Sequence, residues 1–309
     1  MRVAAVDCGT NSIRLLVADL AGGELREQHR EMRVVRLGQG VDRTGELAPE
    51  ALERTRLALA DYAATCADLG VDRTRMVATS ATRDAGNRSA FTAMVQAALG
   101  VEPEVLTGDE EATLSFLGAT RDLDPADGPF LVMDIGGGST ELVLGTGRVE
   151  AARSVDVGCV RLTERHLVGD PPTAAQVAAA EADVDAALAL VREVVPVERA
   201  RTAIGLAGSV TTVAAVALGL PAYDAGVIHL TRLSAAQVAG TAGRLLAMTR
   251  AQRAALPVMH PGRVDVIGGG ALVLRRIVGQ LGLAEVLVSE ADILDGIAWS
   301  MAAPSEGVA

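Results

Sequence analysis

The sequence predicts an α/β protein made of two related halves, and three observations carry that prediction. An apolar segment that turns at a Gly- and Ser-rich corner occurs twice. Amphipathic helical stretches alternate with short β-rich runs. Half of the 309 residues are hydrophobic and 22% are charged, a globular balance long enough for one large or two medium domains.

The first of the paired segments, residues 3–19, reads VAAVDCGTNSIRLLVAD: an apolar run to Asp7, a Gly/Thr/Asn/Ser turn, then a second apolar run from Ile13. That is strand, tight turn, strand. Its counterpart starts at Phe130 as FLVMDIGGGSTELVLGT. Aligned on Asp7 and Asp134, the copies set Gly9 on Gly136, Ser12 on Ser139, Arg14 on Glu141 and Leu15 on Leu142 without a gap. The chain therefore reads as a duplicated α/β unit.

Helices fill the intervals. Leu52, Leu59, Tyr62, Cys66 and Leu69 follow Pro49 at helical spacing and stop at Gly70. Thr173 and Ser234, each with Gln three residues on, open two further helices with capping-box spacing. Residues 76–79 and 203–206 are short β-rich runs between them. The polar, twice-proline stretch DLDPADGP at 122–129 marks the expected break, giving units 1–123 and 124–290. A last helix is expected over about 291–302.

Composition excludes several classes. A net charge of -11 opposes non-specific binding to nucleic acid, which needs clustered cations. No run of about 18 apolar residues occurs and no basic leader precedes the first apolar segment, so the expectation is a cytoplasmic protein that does not engage a membrane. Cys8, Cys66 and Cys159 have no metal-ligand or disulfide spacing and read as buried free thiols. The four histidines form no H-E-x-x-H pattern. There is no lysine, so an anionic ligand would be held by arginine forks, backbone N–H groups and a metal.

Both Gly/Ser/Thr turns can aim backbone N–H groups at an anion, because glycine permits close approach. The first is followed by Arg14, and the second is flanked by Asp134 and Glu141. Two carboxylates beside a phosphate-binding turn make electrostatic sense with a cation between, for which Mg2+ is the usual choice. The plainer reading is a pair of tight hairpins with solvated acids. A Walker loop is excluded by the missing lysine, and a dinucleotide fingerprint by the strand-like residues after the turn. Residues 78–87, ATSATRDAGN, put Thr79, Ser80 and Arg83 at a strand-to-helix junction that could favour an anion or simply carry a surface arginine. Residues 107–119, TGDEEATLSFLGA, put Glu110 and Glu111 in a first helical turn, where acids commonly just complement the helix dipole. Arg26, Arg30, Arg33, Arg36 and Arg43 could form a basic patch or a solvated strand edge.

Together, DCGTNSIRLLV, ATSATRDAGN, GDEEATLSFLGA and DIGGGSTELVLG resemble, in content, order and spacing, the exopolyphosphatase and guanosine pentaphosphate phosphohydrolase family. Residues 205–216, 263–274 and 288–299 look like later blocks of the same family, so the resemblance spans nearly the whole chain. It implies two ribonuclease-H-like domains of the actin, sugar kinase and Hsp70 superfamily facing across a cleft, with the final helix returning to the first domain. It implies a homodimer. It implies Glu111 as general base, Asp134 and Glu141 as acids associated with Mg2+ (Mn2+ being the alternative), and a phosphate cradle of Thr10, Asn11, Ser12, Arg14, Arg83, Gly137, Gly138 and Ser139. The implied activity is hydrolysis of the terminal phosphoanhydride of inorganic polyphosphate. Longer members carry C-terminal helical domains, whereas this sequence stops soon after Met301, so short chains are the expected substrate. Guanosine pentaphosphate or another nucleotide is the rival substrate, although residues 205–216 show no aromatic or acidic signature for a base. A non-catalytic polyphosphate or alarmone sensor is the alternative of another class.

Overall fold

A computed structural model describes residues 1–302 of the chain. The first half contains β1 (Arg2–Cys8), β2 (Ser12–Ala21), β3 (Glu24–Val34), α1 (Val41–Thr44), α2 (Pro49–Asp68), β4 (Arg73–Ala78), α3 (Ser80–Asp84), α4 (Arg88–Leu99), β5 (Glu104–Val105) and α5 (Gly108–Thr120). The second contains β6 (Phe130–Ile135), β7 (Thr140–Gly145), β8 (Val149–Val155), α6 (Cys159–Arg165), α7 (Ala174–Arg192), β9 (Thr202–Leu206), α8 (Ala207–Ala217), α9 (Ala225–Ile228), β10 (Arg232–Ser234), α10 (Ala235–Ala247), α11 (Arg250–Ala254), α12 (Ile267–Gln280) and β11 (Glu285–Val288). A last helix, α13 (Ile293–Ser300), follows.

The two sheets repeat one topology. In the first, the order is β3-β2-β1-β4-β5, with β1, β2 and β3 antiparallel and β4 and β5 added in parallel. The second reads β8-β7-β6-β9-β11-β10, again three antiparallel strands and then two in parallel, with β10 added antiparallel at the edge. This is the ribonuclease-H-like arrangement twice over. The duplication extends to the turns: Asp7 pairs with Arg14 and Asp134 with Glu141 across the hairpins, and Gly9 N–H donates to Ser12 O at 3.0 Å as Gly136 N–H donates to Ser139 O at 3.1 Å.

Strand residues alternate between two buried faces, which is why β1 and β6 read as continuous apolar runs. On the first sheet, Ala4, Val6, Ile13 and Leu15 pack with Leu59, Tyr62 and Phe91 of α2 and α4, while Val3, Ala5, Leu16 and Ala18 face Leu114 of α5 and Ile293, Leu294 and Ile297 of α13. On the second, Leu131, Met133 and Leu142 meet α7, α8, α10 and α12, whereas Val132, Val143 and Ile204 face Ala112, Phe116 and Ala119 of α5. Helix α5 thus carries apolar side chains to both sheets. It crosses α13 at backbone contact, since a Cβ on Gly118 would overlap the Asp292 carbonyl and one on Gly296 the Leu114 carbonyl. Only glycine admits that approach.

The Thr173 and Ser234 capping boxes form as expected, and Thr107 with Glu110 makes another at the start of α5. All three cysteines are buried and free. Of the five arginines that could form a basic patch, Arg26, Arg30, Arg33 and Arg36 each pair with a carboxylate along β3 and the loop after it, which leaves Arg43 as the one without a carboxylate partner among the described residues. Among the described residues, no helix is long and apolar enough to cross a membrane.

Candidate active site

The two hairpin turns approach each other because the halves face one another with β1–β2 and β6–β7 at matching positions. Between them lies a cavity of about 100 Å³, open to solvent on one side. Thr10, Asn11, Ser12 and Arg14 line it from the first turn, and Asp134, Gly137 and Ser139 from the second. Thr10 Oγ1 lies 2.9 Å from Ser80 Oγ at the start of α3, and Asn11 Nδ2 donates to Gly262 O of the second half at 3.5 Å.

Glu111 enters this cavity from the first turn of α5, only 7% exposed. The capping box ends on Glu110, whose carboxylate accepts from Thr107 N–H at 2.8 Å, so the second acid of the pair is left to face inward. Burial, reinforced by the charge of Asp134, pushes Glu111 up to about 8, while Arg83 opposes the rise. Arg83 NH1 donates to Glu111 Oε2 at 3.1 Å and to Leu106 O at 2.9 Å. Arg83 does not itself line the cavity. Its guanidinium is turned to Glu111 rather than to the phosphate space expected for it.

Asp134 opens on the cavity and accepts a hydrogen bond from Ser115 Oγ at 2.6 Å. Burial pushes it up to about 6, against the pull of Ser115. Glu141 sits behind, 1% exposed and outside the lining, with Ser154 Oγ donating to Oε1 at 2.7 Å. Burial and then the charges of Glu111 and Asp134 push Glu141 well above the usual carboxylate range. Gly138 also lies off the cavity; its carbonyl accepts from Arg161 Nε at 2.7 Å.

Arg14 lines the cavity but is engaged by carboxylates. Its Nε and NH2 donate to Asp7 Oδ2 at 3.1 and 2.6 Å, and NH1 donates to Asp292, the N-cap of α13. These two acids hold its pKa above the ordinary arginine value despite burial. Two guanidinium N–H bonds of Arg14 remain for a ligand. Burial raises Asp7 above its ordinary value, with Arg14 opposing.

Asp7 and Arg263 are charged lining residues that the motifs do not single out, and Asp292, the second partner of Arg14, lines the adjoining cavity instead. Asp292 is 278 positions from Arg14, and no local signal joins them. Arg263 lines the cavity with one hydrogen bond, NH1 to Thr212 Oγ1 at 3.0 Å, and no carboxylate partner among the described residues. Its segment, RVDVIGGG, carries no local signal beyond the resemblance of residues 263–274 to a family block. Ala207, Gly208 and Ser209 at the start of α8 complete that wall, with Ala207 in the left-handed region at φ 68°.

Among the described residues, no three His, Cys, Asp or Glu side chains converge into a ready-made metal cage. Two buried carboxylate oxygens nevertheless lack any partner, Asp7 Oδ1 and Glu141 Oε2. Mg2+ is usually held by one or two carboxylates together with substrate phosphates and retained waters, and this donor set fits that pattern.

A protein-family model described as the Ppx/GppA phosphatase family matches residues 10–304. The chain belongs to this family. It is 55% identical over 314 aligned positions to exopolyphosphatase 2 of Mycobacterium tuberculosis, covering 97% of this chain and 98% of that protein. A crystal structure of an exopolyphosphatase-like protein superimposes with a TM-score of 0.93 at 45% identity, covering 97% and 98% of the two chains. The Ppx/GppA enzyme of Aquifex aeolicus gives 0.82 at 30% identity, covering 97% and 99%. Family membership agrees with the two facing sheets. On the residues implied by resemblance, the structure gathers Thr10, Asn11, Ser12, Arg14, Glu111, Asp134, Gly137 and Ser139 around one Ppx/GppA cavity, and sets Arg83, Gly138 and Glu141 immediately behind it.

Proposed function

We propose that the protein is an exopolyphosphatase that removes the terminal phosphate of short inorganic polyphosphate, with Glu111 as general base and Mg2+ as cofactor. The observation that carries this reading is Glu111 itself: a buried carboxylate in a cavity walled by two anion-binding turns, its charge opposed by Asp134 and supported by Arg83. The 55% identical mycobacterial relative is named for the same activity.

The terminal phosphoryl group would lie between the turns, bonded by their backbone N–H groups, Thr10, Ser139 and the free N–H bonds of Arg14. Glu111 orients a water and takes its proton as the water oxygen bonds to phosphorus. The bond to the bridging oxygen breaks in line, and the shortened chain leaves with the electron pair. A loose phosphoryl transfer needs mainly alignment and charge stabilisation, and the base contributes on the order of 10² to 10⁴ in rate. Asp134, which opens on the cavity, would hold Mg2+, which when bound neutralises phosphate charge, and the enclosed Glu141 behind it would add to the negative charge that favours the ion. Short chains are favoured because the arginines of β3 are already paired with acids and leave no basic track.

One observation favours a nucleotide such as guanosine pentaphosphate as a second substrate. A cavity of about 390 Å³ adjoins the first, shares Arg14, Gly208 and Arg263 with it, and is walled by Tyr223, Val258 and Met259. A pure sensor would need neither a buried base nor the charge repulsion around it.

The test is phosphate release from tripolyphosphate, long polyphosphate and guanosine pentaphosphate, with Mg2+ or with EDTA. Metal-dependent release fastest from tripolyphosphate supports the proposal, and fastest release from the nucleotide supports the second reading. Tight binding without release from any substrate would replace both with the sensor.

A further inference from the structure

The three carbonyls of the second phosphate turn all point the same way, into helix α6. Cys159 N–H donates to Gly136 O at 3.0 Å, Val160 N–H to Gly137 O at 2.9 Å, and the Arg161 Nε to Gly138 O at 2.7 Å. The only cis peptide bonds among the described residues precede Pro129 and Pro171, so the peptides of this turn are trans. In a trans peptide the carbonyl and the following N–H point in opposite directions. Fixing these carbonyls on α6 therefore turns the N–H groups of Gly137, Gly138 and Ser139 away from it. Gly158, which leads into α6, makes the approach feasible: a Cβ there would come within 2.5 Å of Gly137 O.

The third anchor differs from the first two because it is a side chain with further bonds. Arg161 NH1 donates to Asp42 at 2.5 Å and NH2 to Asp84 at 2.6 Å, both in the first half of the chain. Arg161 is 12% exposed in its side chain, and one planar guanidinium thus joins the phosphate turn of one half to two acids of the other. Neighbouring Arg165 also reaches Asp42, at 2.6 Å, and does not hydrogen-bond the turn.

We propose that Arg161 is a positioning residue for the phosphate site: by holding Gly138 O between α6 and the Asp42–Asp84 pair, it keeps the N–H groups of the second turn aimed at the substrate and makes that aim depend on the two halves being closed. The inference rests on the phosphohydrolase reading. Arg161 touches neither the reacting atoms nor the cavity, so its contribution lies in how well the phosphate is held. Asp42 and Asp84 contribute only through it.

The experiment measures kcat and KM for tripolyphosphate, with Mg2+, in the full-length protein and in Arg161→Met, Arg161→Lys, Asp42→Asn with Asp84→Asn, all three substitutions together, and Arg165→Gln, with thermal melting alongside. A charge-assisted hydrogen bond lost from a phosphate cradle corresponds to about a ten- to hundredfold rise in KM. That rise is expected for Arg161→Met and for the double aspartate variant, with no more than about a further twofold when they are combined, since both routes free the same carbonyl. Arg161→Lys recovers part of the loss, and Arg165→Gln stays within about twofold of the native KM.

A native KM in folded Arg161→Met, or in the aspartate pair should Arg161→Met fail to fold, overturns the proposal. So does a full additive loss in the triple variant, or a melting temperature that falls while KM holds. If the native protein neither binds nor hydrolyses tripolyphosphate, the functional reading falls first and this inference with it; an active native protein with indifferent variants removes only the inference.

Discussion

Arg83 donates to Glu111 Oε2 at 3.1 Å from a position outside the cavity that Glu111 faces. The pair joins α3 to α5 across the first half of the molecule. A guanidinium so placed holds the Glu111 carboxylate in one orientation and favours its ionised form, against burial and the charge of Asp134.

Removing it gives the first prediction. Arg83→Gln is expected to lower kcat for tripolyphosphate by about 10²-fold, the lower range for loss of an effective base, with KM changed less than about threefold. Without Arg83 the folded pKa of Glu111 rises further, so the acidic limb of kcat/KM moves to higher pH. A large rise in KM with kcat intact would make Arg83 a phosphate ligand instead.

The location of Arg83 illustrates what the sequence could and could not reveal. The paired hairpins were legible because each turn is flanked by apolar runs and the two copies align without a gap; β1–β2 and β6–β7 form as the expected strand–turn–strand units, and their registers match each other. Helix starts at Thr173 and Ser234 were legible because capping is a local contact. Arg83 was readable as a cation near the site, but not its partner, because the choice between a phosphate and Glu111 depends on how α3 packs against α5. Arg14 with Asp292 is harder still, being set by the return of α13 to the first sheet. Glu141 aligns with Arg14 in the duplication, yet both faces of β7 are covered and the carboxylate is enclosed rather than presented to the cavity.

The acid cluster gives a prediction about pH and metal. Glu111, at about 8, and Asp134, at about 6, have folded pKa values above the range of about 4 expected in the unfolded chain. Their contribution to stability is therefore fully present below about pH 4 and is lost as pH rises through 6 and 8, because the folded state keeps protons that the unfolded state has released. Thermal melting of metal-free protein should fall between pH 6 and pH 8 from this cluster. Mg2+ bound at the ionised acids should raise the melting temperature more at pH 8 than at pH 6. An equal increment at both values would contradict a site built on these carboxylates.

Arg14 should matter to folding as well as to phosphate. Arg14→Met leaves Asp7, with a 5% exposed side chain, and Asp292, at 8%, without their shared cation. Breaking a buried pair in this way costs about 3 to 5 kcal/mol, and the partial exposure of Arg14 sets the expectation at about 3. Urea denaturation measures it, and the additional substitution Asp7→Asn should recover part of the loss. A change below about 0.5 kcal/mol would mean the pair is surface decoration.

The most direct test of the account is single-turnover phosphate release from tripolyphosphate by the native protein and by Glu111→Gln, with Mg2+ present. The substitution keeps the shape of the side chain and removes its ability to take a proton. The predicted result is a rate lower by about 10² to 10⁴, with tripolyphosphate affinity retained. Release at the native rate from Glu111→Gln would contradict the assignment of the base, and with it the mechanism built on this cavity.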